Sequence, residues 1–213
     1  MLLILNYGGV MNQLKTYEQL VELLKTLDKA IETQIGKNFK ITVQAVGGFA
    51  LMFHGLRINN PLSRDIDSMT ELPSNVYKLA LDIDPSGWLN DHVSVEYGLP
   101  KRHRENLVFV DSKIKFSCIN LEIAVLESLM AMKLHALDNM TLRGYTKQTN
   151  PRTQDASDVK EIFNLYNIKS QEDFVREFPG LDCYLDKKYL PDEEKYKEKT
   201  DKINIFEKYD LIE

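Results

Sequence analysis

The chain has 213 residues, 43% hydrophobic and 28% charged, enough for one generous core or two small ones and too well balanced for a disordered chain. Its formal net charge of -5 excludes a generic polyanion binder, so any nucleic-acid contact must come from a local basic patch. Cys118 and Cys183 lie far apart and match no metal-ligand spacing, which suits a reduced intracellular setting, and no apolar run approaches the ~20 residues that cross a bilayer.

In chain order, Met1 to Leu5 is apolar but lacks a basic start and soon meets Asn6. It is a poor signal peptide, and a cytoplasmic location without membrane contact is expected. Tyr7-Gly8-Gly9-Val10 before Met11 back-translates to a purine-rich ribosome-binding site and a start codon. Two starts are therefore open, Met1 and Met11, the second making residues 1–10 a mis-called extension; a full-length intact mass of the natively expressed protein rejects the second.

From Met11 to about Ile35, Leu14, Tyr17, Leu20, Val21, Leu24, Leu27 and Ile31 recur at helical spacing, and Gly36 stands where such a helix stops. Residues 41–46 are short and β-branched and read as a strand, followed by Gly47-Gly48 and a short helix from Phe49 to His54. Residues 57–64 form a loop broken at Asn59-Asn60-Pro61. Residues 65–69 read as a second strand, and Ser74 to Leu81 as a helix after Pro73.

Two or three strands are predicted between Trp88 and Phe116, around Val93–Tyr97, Leu107–Val110 and Lys113–Phe116, with Asp111-Ser112 as a hairpin turn. Residues 119–125 make one more strand. At Leu126 the spacing turns helical, continuing through Val159, Ile162, Phe163 and Tyr166 and ending in the charged run from Asp192 to Lys202. The layout is an α/β (α+β) unit over residues 1–125, a mixed sheet with flanking helices, and a C-terminal helical domain over 126–213.

The informative stretch is Val46-Gly47-Gly48-Phe49-Ala50-Leu51 followed by Ser63-Arg64-Asp65-Ile66-Asp67. Glycines between a strand and a helix let a backbone approach a ligand closely, although many strand-to-helix turns use them for nothing else. Asp65 and Asp67 alternate with Ile66, so on a strand both carboxylates face one side while Ile66 enters the core. Like charges on one face repel unless a cation sits between them, and hard oxygen ligands suit magnesium. Taken singly, each motif also fits a solvated edge strand or an ordinary turn.

Together they resemble the signature of the DNA polymerase β nucleotidyltransferase superfamily. A second block, Leu126 to Ala136 with Lys133, then Arg152-Thr153-Gln154-Asp155-Ala156-Ser157-Asp158, resembles the Lys-bearing helix and Arg-x-x-Asp-x-x-Asp stretch of the abortive-infection type E toxin nucleotidyltransferases. The resemblance covers residues 40–166 in patches. It implies that Gly47 and Gly48 contact a triphosphate, that Asp65 and Asp67 hold Mg2+, and that Lys133 serves the reaction. Ser63 stands where the family has threonine. Arg57 resembles the arginine before the acid pair, displaced by the extra turn Asn59–Leu62.

A third carboxylate, ligand and base in that family, is expected at Asp91, narrowly ahead of Glu122, with a plain turn at Asn90-Asp91 as the plainer reading. Asp155 and Asp158 share a helix face and suit Lys133, Arg152, substrate or a helix start. Lys101-Arg102-His103-Arg104 is the dense basic patch, suited to an RNA backbone or to plain solvation. His54 reads as a packed side chain, and Tyr184, Tyr189 and Tyr196 as packing residues of the tail. The implied activity is transfer of a nucleoside monophosphate from a nucleoside triphosphate to an acceptor hydroxyl. RNA such as transfer RNA is the implied acceptor and an antitoxin protein the implied partner. The alternative is an inactive nucleotide- or partner-binding module of the same fold.

Overall fold

The structure is a computed structural model that describes residues 14–91, 107–142, 153–181 and 205–212, and the side chains of 139–142 are not considered. Helix α1 spans Tyr17–Gln34. It starts later than the apolar periodicity predicts because Thr16 and Gln19 close a capping box. The Thr16 hydroxyl accepts from the Gln19 N–H at 3.3 Å, and the Gln19 side chain accepts from the Thr16 N–H at 2.9 Å. Ahead of that cap, Lys15 is extended and exchanges two backbone hydrogen bonds with Ser63.

The five strands are β1 Ile41–Val46, β2 Ile66–Ser68, β3 Leu89–Asn90, β4 Phe109–Asp111 and β5 Ile119–Ala124. They form one mixed sheet in the order β3-β2-β1-β5-β4. Strands β1 and β5 are parallel, as are β2 and β3, while β1 with β2 and β4 with β5 run antiparallel. Helix α2, Gly47–Phe53, leaves the end of β1 directly, and α3, Ser74–Ile83, lies between β2 and β3 in the chain.

Side-chain alternation divides this sheet into unlike faces. Ile41, Val43 and Ala45 of β1, Ile66 of β2, Leu89 of β3 and Ile119, Leu121 and Ile123 of β5 are buried. They belong to the core that also holds Leu20, Leu24, Leu27 and Ile31 of α1 and Val76 and Leu79 of α3. The registered partners Gln44–Glu122, Val46–Asp67 and Asp67–Asn90 share the opposite face, which is therefore largely polar.

The hairpin expected at Asp111-Ser112 is absent. Asp111 is still strand, opposite Glu122, and Lys113–Phe116 form no strand. The Asp111 carboxylate accepts from the Lys113 N–H at 2.8 Å and turns the chain there, with Lys113 at φ 63°. The chain then loops back so that β4 pairs with β5, whose Ile119, Leu121 and Ile123 bury one face in the core.

After β5 every described element is helical: α4 Leu126–Leu142, α5 Thr153–Leu165, α6 Gln171–Glu177 and α7 Ile205–Lys208. Helix α4 packs on α5 and α7. Phe163, Phe174, Phe178 and Phe206 form the centre of this part, with Phe174 and Phe206 ring centroids 5.0 Å apart. One hydrophobic core includes residues before and after the expected boundary at 125, among them Leu51, Ile123, Leu134 and Phe163.

The predicted strand at Val93–Tyr97, the basic patch at Lys101–Arg104, Arg152, Cys183, Tyr184, Tyr189, Tyr196, the run from Asp192 to Lys202 and the start at Met11 lie outside the described residues. Among the described residues, no helix is long and apolar enough to cross a membrane.

Candidate functional site

At the end of β1 the chain bends into α2 through Gly47, whose φ of 67° is left-handed. Val46 is paired with Asp67 across β1 and β2. A Cβ on Gly47 would stand 2.5 Å from the Asp67 Oδ2. The backbone angle favours glycine here, and any side chain would also have to displace the Asp67 carboxylate.

Gly48 is crowded by different atoms. A Cβ there would lie 2.6 Å from the Ser63 Oγ and 2.8 Å from the Arg57 guanidinium carbon. So Gly47, Gly48, Arg57, Ser63 and Asp67, singled out from separate stretches of sequence, meet at one place.

Asp65 and Asp67 flank Ile66, which is fully buried as alternation requires. Asp65 sits just before β2 and is mostly enclosed. Burial first, and the Asp67 charge second, push its carboxyl up to about 6, against the opposing pull of Arg64, Lys15 and Arg57. Asp67 accepts from the Asn90 side-chain amide at 3.0 Å.

A second cluster joins this place to the helical part. Arg57 lies in the left-handed region at φ 64°, a costly angle for a non-glycine residue. Its Nε and Nη2 grip both Asp158 oxygens at 3.0 and 2.9 Å, and its Nη1 donates to the Leu62 carbonyl at 2.9 Å. The Glu161 carboxylate accepts from the backbone N–H groups of Arg57 and Ile58.

Lys133 contacts Asp155 at 2.5 Å and Asp158 at 2.7 Å. All four charged side chains are buried. Burial works against the Lys133 charge, yet Asp155 and Asp158 outweigh it and hold the ammonium above its ordinary range. Burial likewise disfavours the Asp158 charge, and Lys133 and Arg57 overcome it, leaving that carboxyl below its ordinary range.

The two candidates for a third acid stand elsewhere. The Asp91 carboxylate accepts from the Leu72 N–H at 2.9 Å, and it is Asn90 that shares the face of Asp67. Glu122 accepts from Gln44 at 2.9 Å and from Asn120 at 3.0 Å. Strand β1 lies between it and β2, so it is roughly 10 Å or more from Asp67 by strand spacing. His54 is packed, with its Nε2 2.9 Å from the Ala124 carbonyl.

Three participants carried a sequence signal that went unread. Asn90 follows from the alternation Leu89 in, Asn90 out, Asp91 in. Gln154 and Glu161 lie on the same helical stripe as Asp158. Lys15, which pairs with Ser63 and Asp84, had no local signal.

Chemically, two carboxylates with one of them pushed toward neutrality suit a divalent cation, which would restore the charged form. Among the described residues, no three His, Cys, Asp or Glu side chains converge to hold a metal ion. The pair supplies two hard oxygen ligands. It fits Mg2+, which keeps several waters and takes one or two carboxylates together with substrate phosphate oxygens. The chain matches no protein-family model, no curated protein and no solved structure.

Proposed function

We propose that the protein is a magnesium-dependent nucleotidyltransferase. One observation carries this reading: Asp67, whose charge acts on Asp65, abuts the Gly47-Gly48 bend, with Arg57 and Ser63 against the same bend. Asp65 and Asp67 would hold the Mg2+, which when bound neutralises charge on the triphosphate and orients the attack. Glycine at 47 and 48 lets Asp67, Ser63 and Arg57 close against the bend, and these side chains would set the shape and polarity of the wall that meets the triphosphate. In the reaction an acceptor hydroxyl oxygen bonds to the α-phosphorus, the α–β bridging bond breaks and pyrophosphate leaves. RNA, transfer RNA included, is the acceptor class to try first, in keeping with a toxin or phage-defence role beside an antitoxin.

Incubation with each labelled nucleoside triphosphate, Mg2+ and bulk RNA tests this. The wild type should transfer label, and Asp65→Asn should transfer about a hundredfold less or none. Equal transfer by the variant contradicts the assignment.

One observation favours a second reading, a nucleotide-binding module without turnover. The position beside Asp67 is taken by Asn90, an amide that cannot take up the acceptor proton. That version predicts Mg2+-dependent nucleotide binding with no transfer.

A further inference from the structure

Loop 57–64 leads directly into Asp65, and little of it is held by apolar contact: residues 59–61 are exposed and Ile58 is 78% exposed. Two backbone hydrogen bonds to Lys15 hold its Ser63 end, and one face of α5 grips its start. Gln154 accepts from the Asn60 side chain at 2.9 Å, Asp158 takes the Arg57 guanidinium in a two-pronged bond, and Glu161 takes the Arg57 and Ile58 N–H groups. These three residues are spaced four and three apart, so they form a single stripe on the helix.

Arg57 lies within van der Waals reach of Gly48 and its charge reaches Asp65. Its strained φ persists because bonds from its backbone, its guanidinium and Ile58 all point the same way. Lys133 has its ammonium enclosed between Asp155 and Asp158. Its contacts are with these two acids, and its charge keeps Asp158 ionised for Arg57.

We infer that Asp158 and Glu161 are positioning residues that latch loop 57–64 to α5 and so set where Arg57, Asp65 and Asp67 stand against the glycine bend, with Lys133 as the buried counter-charge of the latch. The helical part of the chain thereby becomes a component of the site without touching the reacting atoms. This deepens the nucleotidyl-transfer reading and rests on it only for the kinetic arm of the test below.

Hydrogen exchange and kinetics on the full chain decide it. Two variants are used, Asp158→Asn and the milder Glu161→Gln, because loss of the buried charge at 158 threatens folding. In Glu161→Gln the amides of 57–64 should exchange about tenfold faster, while those of β1 and β5 stay within about twofold of wild type. If transfer is present, kcat should fall about tenfold or more with the KM for nucleotide within about threefold. A third variant, Arg57→Lys, should loosen the loop in the same way, since an ammonium lacks the two-pronged fork.

Unchanged loop exchange, or a uniform rise across loop and strands, overturns the latch. So does a loosened loop with unchanged kcat in an active enzyme. Absence of transfer by the wild type sinks the nucleotidyl-transfer reading alone, and the exchange pattern then still upholds or overturns the latch by itself.

Discussion

The molecule holds two groups of charges side by side, and they are built on opposite principles. Around Asp158 two cations meet two anions, all buried, with short ion pairs and a two-pronged guanidinium bond. Around Asp65 two anions meet each other, and Asp65 is driven toward its neutral form by burial and by the Asp67 charge. The first group is complete within the protein. In the second, the favourable charges of Arg64, Lys15 and Arg57 do not offset burial and the neighbouring acid at Asp65.

Substitutions should separate the two groups clearly. The largest effect is expected at Lys133→Met, which leaves Asp155 and Asp158 buried and short of a cation. Denaturant unfolding should show a loss of about 3–5 kcal/mol, and a loss below 1 kcal/mol would mean that the cluster is not closed. Next comes Gly47→Ala, where a left-handed backbone and the Asp67 oxygen act together. A cost of about 2–4 kcal/mol is expected. Gly55→Ala supplies the control, since Gly55 has φ 76° but open space around its Cβ position. It should cost only about 1 kcal/mol, and equal costs would remove the contact with Asp67 from the account.

Asp65→Asn should have the opposite sign. The folded carboxyl titrates near 6 against an ordinary value of 3.8, so the stability tied to its proton is fully present below about pH 4 and is lost as pH rises through about 6. The variant should therefore match the wild type at pH 4 and exceed it at pH 8 by about 1 kcal/mol, a figure reduced for partial solvation. Thermal melts across that range check it, and a variant less stable at pH 8 speaks against strain at the pair. The smallest effect is expected from Asn90→Asp. It places a third acid beside Asp67 and should lower stability at pH 8 by about 0.5–1 kcal/mol without metal, with the loss recovered in millimolar Mg2+.

The parts of this picture that were legible in the sequence are those governed by short-range rules. Strand β1, the glycine bend and the acids around Ile66 follow from alternation and from the few residues that tolerate a left-handed turn. The start of α1 was legible too, but in the Thr16–Gln19 cap rather than in the apolar spacing that runs on through Leu14. What was hidden depends on pairing over long distances. Lys113–Phe116 carries strand-like residues, yet β4 pairs with β5 instead, because the Asp111 side chain turns the chain at Lys113. Asp91 looked like a ligand from its order in the chain. Strand register gives the face of Asp67 to Asn90 and sends Asp91 to the Leu72 amide. For Asp155 and Asp158 the sequence left Lys133, Arg152, substrate and a helix start open as partners, and the fold pairs both acids with Lys133.

If Asp65 and Asp67 together hold magnesium at a nucleoside triphosphate, nucleotide binding must depend on the metal and on both acids. Thermal unfolding with each of the four triphosphates, with and without Mg2+, tests it most directly for the wild type and for the Asp65→Asn, Asp67→Asn double variant. The account predicts that one triphosphate at about a hundred times its Kd raises the wild-type midpoint by roughly 5–10 °C. That rise should occur only with Mg2+ present and should vanish in the double variant. A wild type that ignores every triphosphate, or a double variant that responds as the wild type does, would contradict it.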